Sequence, residues 1–207
     1  MNIFRCLAFS ALFAMSVSGA NAQVDYTQYN KGVAAYKAGE YKSALYTWIK
    51  VAKYADDPAR ADAQNSIGLM YDNGKGVIQN YVEAVKWYRL AADRGHANAR
   101  YNLGVMYDNG KGIIENDIEA FKLYMFAAEH GDANAQNHIG MMFSVGAGFI
   151  KSNVRAHMWY NIASANGKEE AAKQRDDIAL KMTRAEIATA QAMAQECFSS
   201  GYEICGE

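Results

Sequence analysis

The residues of this chain with the most chemical potential are four histidines and three cysteines. His138 and His157 stand on separate helical stretches. A metal would need both to converge with a carboxylate, and nothing in their spacing requires that. His96 and His130 sit beside Gly95 and Gly131, at helix ends where a basic ring suits the negative pole and serves as a cap. No Gly-x-Ser-x-Gly, Ser-x-x-Lys or His-Glu-x-x-His pattern occurs, so the usual nucleophile and zinc signatures are missing. Paired glycines at Gly74 and Gly76, and again at Gly110 and Gly112, resemble a phosphate loop. No β-strand precedes them and no lysine-Ser/Thr pair follows, so they read as helix–helix turns. The carboxylates recur at a fixed period, as structural residues do. These residues therefore point to no catalytic group, no metal and no cofactor.

The amino-terminal segment is read as an export signal. Arg5 supplies a positive start, Cys6 to Val17 is a nearly unbroken apolar run of 12 residues, and Ala20-Asn21-Ala22 has the small-x-small pattern of a signal peptidase site. Residues 1–22 are expected to be removed near Ala22, which places the mature chain in the periplasm or outside the cell. The run is shorter than the roughly 20 residues a membrane span takes. The whole chain carries 21 basic and 22 acidic side chains, and only Arg5 lies in the signal. A balance so near neutral recruits neither nucleic acid nor an anionic membrane by bulk charge. Two cysteines remain, Cys197 and Cys205, and an even pair in an exported chain reads as a disulfide closing a small C-terminal loop; two free thiols are the alternative.

What must position all of these residues is a repeat. Gly68, Gly104 and Gly140 are 36 apart, and Ala63, Ala99 and Ala135, Ala84, Ala120 and Ala156, and Gly95, Gly131 and Gly167 keep the same register. Each copy divides into two helices. The first runs from about Ala63 to Asp72, 99 to 108 and 135 to 144, with Ala63, Ile67, Met70 and Tyr71 forming an apolar stripe of helical period. A glycine inside a helix costs about 1 kcal/mol against alanine. One that recurs beside the stripe predicts a neighbouring helix in close approach. The second helix opens on Asn80, Asn116 or Ser152, with Glu83 and Glu119 three residues on as capping-box partners and Arg155 departing from that pattern. Ala84, Trp87, Tyr88, Ala91 and Ala92 form its buried face. A single pair cannot bury its own apolar side, so neighbouring pairs must stack. Further pairs are expected at Tyr29 to Tyr54, where Gly32 keeps the register, and at Glu169 to Glu196, where Thr183 and Glu186 make another capping box.

Taken together, Ala-x-x-x-Leu/Ile-Gly-x-Met-Tyr-x-x-Gly-x-Gly-Val/Ile, then Glu-Ala, then Trp/Leu-Tyr-x-x-Ala-Ala and Gly-x-x-x-Ala resemble the Sel-one-like repeat, a cousin of the tetratricopeptide repeat. Ala63 to Asn98 and Ala99 to Asn134 match closely. In Ala135 to Glu170, Phe143, Ser144 and Arg155 depart from the pattern. The resemblance implies an all-α fold, a right-handed α-solenoid (superhelix) of stacked antiparallel helix pairs. Its parts would be a degenerate tetratricopeptide-like repeat at 23–62, repeats at 63–98, 99–134 and 135–170, and capping helices with the disulfide loop at 171–207. It also implies an adaptor in a bacterial envelope or at a host surface, with another protein or peptide as partner. Certain cysteine-rich members of the family act on β-lactams or peptidoglycan, but they carry a disulfide in each repeat, which this chain lacks. A cell-wall binder or hydrolase and a secreted host-interaction factor are the alternatives.

In such arrays the first helices line the concave face. Positions beside their core stripe are Asn65, Leu69 and Asp72, then Tyr101, Val105 and Asp108, then Asn137, Met141 and Ser144, with Arg100 adding a charge. This strip either holds a peptide, or its Leu69, Val105 and Met141 pack against the next repeat.

Overall fold

The computed structural model describes residues 26–55, 58–148, 150–202 and 205; the expected signal segment at 1–22 lies outside them. Every regular element among the described residues is a helix, and consecutive helices pack as antiparallel pairs in the manner of an α-solenoid. The chain divides into two compact units, Met1–His96 and Ala97–Glu207.

The first unit contains α1 (residues 26–37), α2 (Tyr41–Tyr54), α3 (Ala59–Asn73) and α4 (Tyr81–Ala92). Its core is Ala44, Trp48 and Val51 of α2 against Ala59, Ala63, Ile67 and Met70 of α3. Trp48 lies against α1 at Gly32, and its indole N–H donates to the Tyr29 carbonyl at 3.2 Å. Tyr29 also meets Ser66 on α3. Helix α1 is thus tied to α2 and α3 through tyrosine and tryptophan side chains.

The recurring helical glycine has the predicted cause. A Cβ built on Gly68 would stand 2.6 Å from two ring carbons of Tyr88 on α4. The tyrosine ring lies where that side chain would be, so α3 and α4 approach to backbone-on-ring contact. Gly74 then ends α3 in the left-handed conformation, φ 64, its N–H bonded to the Met70 carbonyl, which glycine adopts without the cost of a Cβ.

The turn into α4 differs from expectation in one respect. Asn80 caps the helix, its side-chain oxygen accepting from the Glu83 amide, but Glu83 does not reach back. The Asn80 amide is already donated to the Tyr71 carbonyl at 2.9 Å, so Glu83 turns outward to Lys86 at 2.6 Å. The next repeat is the same: the Asn116 amide goes to Tyr107, and Glu119 pairs with Lys122. Among the described residues, only Thr183 and Glu186 form the full reciprocal box.

The second unit runs α5 (Ala97–Asp108), α6 (Asp117–Glu129), α7 (Ala133–Val145), α8 (Asn153–Ala165), α9 (Glu169–Ala179) and α10 (Arg184–Ser199). Helices α5 and α7 start about one half-turn earlier than the apolar stripe suggests, and α3 about one turn earlier. For α7 the reason is Asp132, whose carboxylate takes the amides of Asn134 and Ala135. Helix α8 is central to this unit, touching α7, α9 and α10. Its Ala156, Met158, Trp159, Tyr160, Ile162 and Ala163 are all buried. Cys197 and Cys205 are joined in a disulfide, both sulfurs inside the same core, which pins the chain after α10.

Candidate partner-binding face

The side chains proposed from sequence to line a binding face fall into three groups. Asn65 and Asn137 are buried, 8% and 4% exposed, which corrects their reading as positions beside the core. Each lies where the helix meets its neighbours, and Asn137 turns its amide to the Met141 sulfur at 3.8 Å. Asp72 and Asp108 are half-buried and hold a structural bond each: the Tyr88 hydroxyl donates to Asp72 and the Tyr124 hydroxyl to Asp108, both at 3.2 Å. These tyrosines are fully buried. Burial, then the facing carboxylate, raises the pKa of each phenol, so each remains a donor. Arg100 lays its guanidinium 3.3 Å from the centre of the Phe126 ring, and Phe126 in turn stacks on His130. The last group is Leu69 on α3 and Met141 on α7, at the same place in the repeat, 37% and 40% exposed. Val105 is half-buried and rests against the core.

Tyr101 leads to a cluster that the spacing of residues did not suggest. Its hydroxyl meets His138 Nε2 at 3.3 Å, the His138 ring stacks on Tyr124 with centroids 5.0 Å apart, and His138 Nδ1 lies 3.8 Å from Asp108. The first unit has the same contact at the same register, Tyr29 to Ser66 at 3.4 Å. The signal was present as a period of one repeat plus one residue, linking successive first helices. His157, by contrast, is buried on α8 with Nδ1 unpartnered, near Arg175 and Asp176. Among the described residues no group of three or more His, Cys, Asp or Glu side chains could hold a metal. Of the two histidines read as helix caps, His130 does cap, meeting the Phe126 carbonyl at 2.8 Å. His96 instead joins Asp62 on α3 at 3.0 Å, tying the end of α4 back to the preceding helix.

Burial lowers the pKa of both His138 and His157, with Asp108 opposing at the first and Arg175 reinforcing at the second. A lowered pKa means that the unfolded chain takes up a proton before the folded one does, so stability is present above about pH 6.5 and falls as the pH drops below it. Denaturant midpoints for the second unit are expected to decline from pH 6.5 downward. His138→Gln with His157→Gln should flatten that decline. Proton NMR of the imidazoles checks the origin, because each ring should titrate below 6.5.

Stacked helix pairs with a recurring tyrosine–aspartate bond define a helical-repeat protein. Three copies of the Sel1 repeat match at residues 61–96, 97–132 and 133–168, and the chain belongs to the Sel1 repeat family. A Sel1 repeat protein from Oxalobacter formigenes, known from its crystal structure, is 30% identical over 86% of this chain and 78% of that one, with a TM-score of 0.67. A protective antigen present in uropathogenic Escherichia coli strains, displaying an SLR fold, is 26% identical over 86% of this chain and 42% of that one, with a TM-score of 0.70. No protein of curated function matches. Sel1 repeat proteins are generally protein-interaction scaffolds, typically without catalytic activity. No helix among the described residues is long and apolar enough to cross a membrane.

Proposed function

We propose that this chain is exported from a bacterial cell and acts in the envelope, or beyond it, as a scaffold that holds another protein on its first helices. The observation that carries this reading is the exposure of Leu69 and Met141, one in each unit and at the same place in the repeat, on helices whose Ile67, Met70, Ile139 and Met142 are buried. Packing leaves these two side chains without full cover, about one turn from the half-buried Asp72 and Ser144, and apolar positions with polar edges suit a peptide or helix. Export is supported by the paired Cys197 and Cys205, since disulfides persist in oxidising compartments, and by the run from Arg5 to Ala22.

The test is capture from native envelope extract by tagged mature protein with reversible crosslinking. Leu69→Glu and Met141→Glu alter exposed positions, so both variants should fold. Each is expected to reduce the captured protein about tenfold, the loss of one well-placed apolar anchor. Capture undiminished in both folded variants would remove the first helices as the binding face. Retention of glycan fragments with no protein would favour a cell-wall ligand.

A further inference from the structure

The third repeat departs from the first two at the residue facing its buried tyrosine. Where Asp72 and Asp108 stand in the earlier copies, the chain has Ser144. Tyr160, the equivalent of Tyr88 and Tyr124, retains only a long contact to the Ser144 hydroxyl, 3.4 Å, and that hydroxyl itself donates to the Met141 carbonyl at 2.9 Å. A carboxylate has been lost and a phenol left weakly engaged. Beside this point the second unit has a cavity of about 370 Å³ between the end of α7, the start of α8 and one side of α9, within the size range of small-ligand sites. Lys151 and Lys181 line it, with Asp177 as its carboxylate and Val145 and Ile178 as its apolar wall. Gln174 also lines it, and its carbonyl oxygen is buried with no protein group donating to it. A buried acceptor without a donor costs about 1–3 kcal/mol.

We propose that this cavity binds a small carboxylate with an N–H beside it, the chemistry shared by a peptide's C-terminal residue and a free N-acyl amino acid or dipeptide. Lys151 and Lys181 receive the carboxylate, the Tyr160 hydroxyl turns from Ser144 to donate to it, and Gln174 Oε1 accepts the neighbouring N–H. Val145 and Ile178 leave room for a small apolar side chain. The lysines are exposed, so they attract the charge from solvent, while Gln174 supplies the direction. The earlier repeats differ in that respect: at Tyr88 and Tyr124 an aspartate already accepts from the phenol, which leaves it no proton to turn toward an acid. The assignment does not rest on the reading of the partner face, although Ser144 and Val145 stand on α7, the helix that carries Met141.

Isothermal titration of the mature protein with N-acetyl-L-alanyl-L-alanine tests the proposal, with the C-terminal amide of the same compound as control. The free acid is expected to bind at least about tenfold more tightly than the amide, because a charge-assisted bond is lost in the amide. Lys151→Gln with Lys181→Gln should weaken the acid by a similar factor. Ser144→Asp restores the pairing found in the first two repeats, so it should fold at least as stably as the parent and yet abolish binding. A decapeptide ending in the same two residues identifies the source of the ligand: equal affinity indicates a small free compound, and affinity ten times higher or more indicates a peptide end. Equal binding of acid and amide, no binding of the acid at millimolar concentration, or full binding by folded Ser144→Asp would overturn the assignment.

Discussion

Gly68→Ala is expected to destabilise the protein, although alanine is the better helix former. The helix itself gains about 1 kcal/mol from the change. Against that stands the new Cβ, 2.6 Å from two carbons of the Tyr88 ring. That ring is fully buried and its hydroxyl is held by Asp72 at 3.2 Å, so it has little room to retreat. Overpacking of a well-filled core costs about 1–3 kcal/mol and occasionally more, and an approach this short belongs at the upper end. The net loss should be about 1–2 kcal/mol, lowering Tm by several degrees. Gly104→Ala, where the closest ring carbon of Tyr124 is 2.8 Å away, should lose less. Denaturant unfolding of the two variants against the parent gives the sign directly. A stabilised Gly68→Ala variant would mean that Tyr88 swings aside and that the close approach of α3 and α4 is not what selects glycine.

Trp159→Ala should have the largest effect of any single truncation in the second unit. Trp159 is 1% exposed and lies on α8, the helix shared by α7, α9 and α10. Removing a buried indole costs about 3–5 kcal/mol through lost transfer energy and the cavity left behind. In a repeat array stability is a sum over neighbouring interfaces, so the damage should spread from α8 to the elements resting on it. Hydrogen exchange should therefore rise most in α9 and α10, since the Cys197–Cys205 disulfide pins only the far end of α10. A loss below about 1 kcal/mol would show that α8 is not the element on which this unit depends.

The repeat was legible because three copies share one register, and a residue kept at the same place in each declares a common contact. Gly68, Gly104 and Gly140 pointed to close helix approach, and the rings of Tyr88, Tyr124 and Tyr160 are what they meet. The candidate site was less legible. Helical spacing separates the faces of one helix, but it does not say which faces neighbouring helices cover. Spacing alone therefore puts Asn65 and Asn137 on the surface, but they lie in the interior, while Leu69 and Met141 from the same strip remain exposed. The His138 cluster was hidden for a related reason. Its members, Tyr101, Asp108 and Tyr124, come from two other helices, and each has an ordinary packing explanation when considered alone. Local sequence points His96 to its own helix end because the partner that claims it, Asp62, stands nearly one whole repeat earlier.

The main-chain bond that closes each turn has a consequence for how such a protein can change over time. The amides of Asn80, Asn116 and Ser152 are donated to the carbonyls of Tyr71, Tyr107 and Phe143, so closure needs no particular side chain three positions later. That position holds Glu83, Glu119 and then Arg155, a reversal of charge with the same turn closure kept. Each added repeat thus brings a surface letter that can be rewritten without paying in fold. Duplication supplies the length, drift at these unconstrained letters supplies individuality, and a lineage can acquire a new partner while its hairpins close as before.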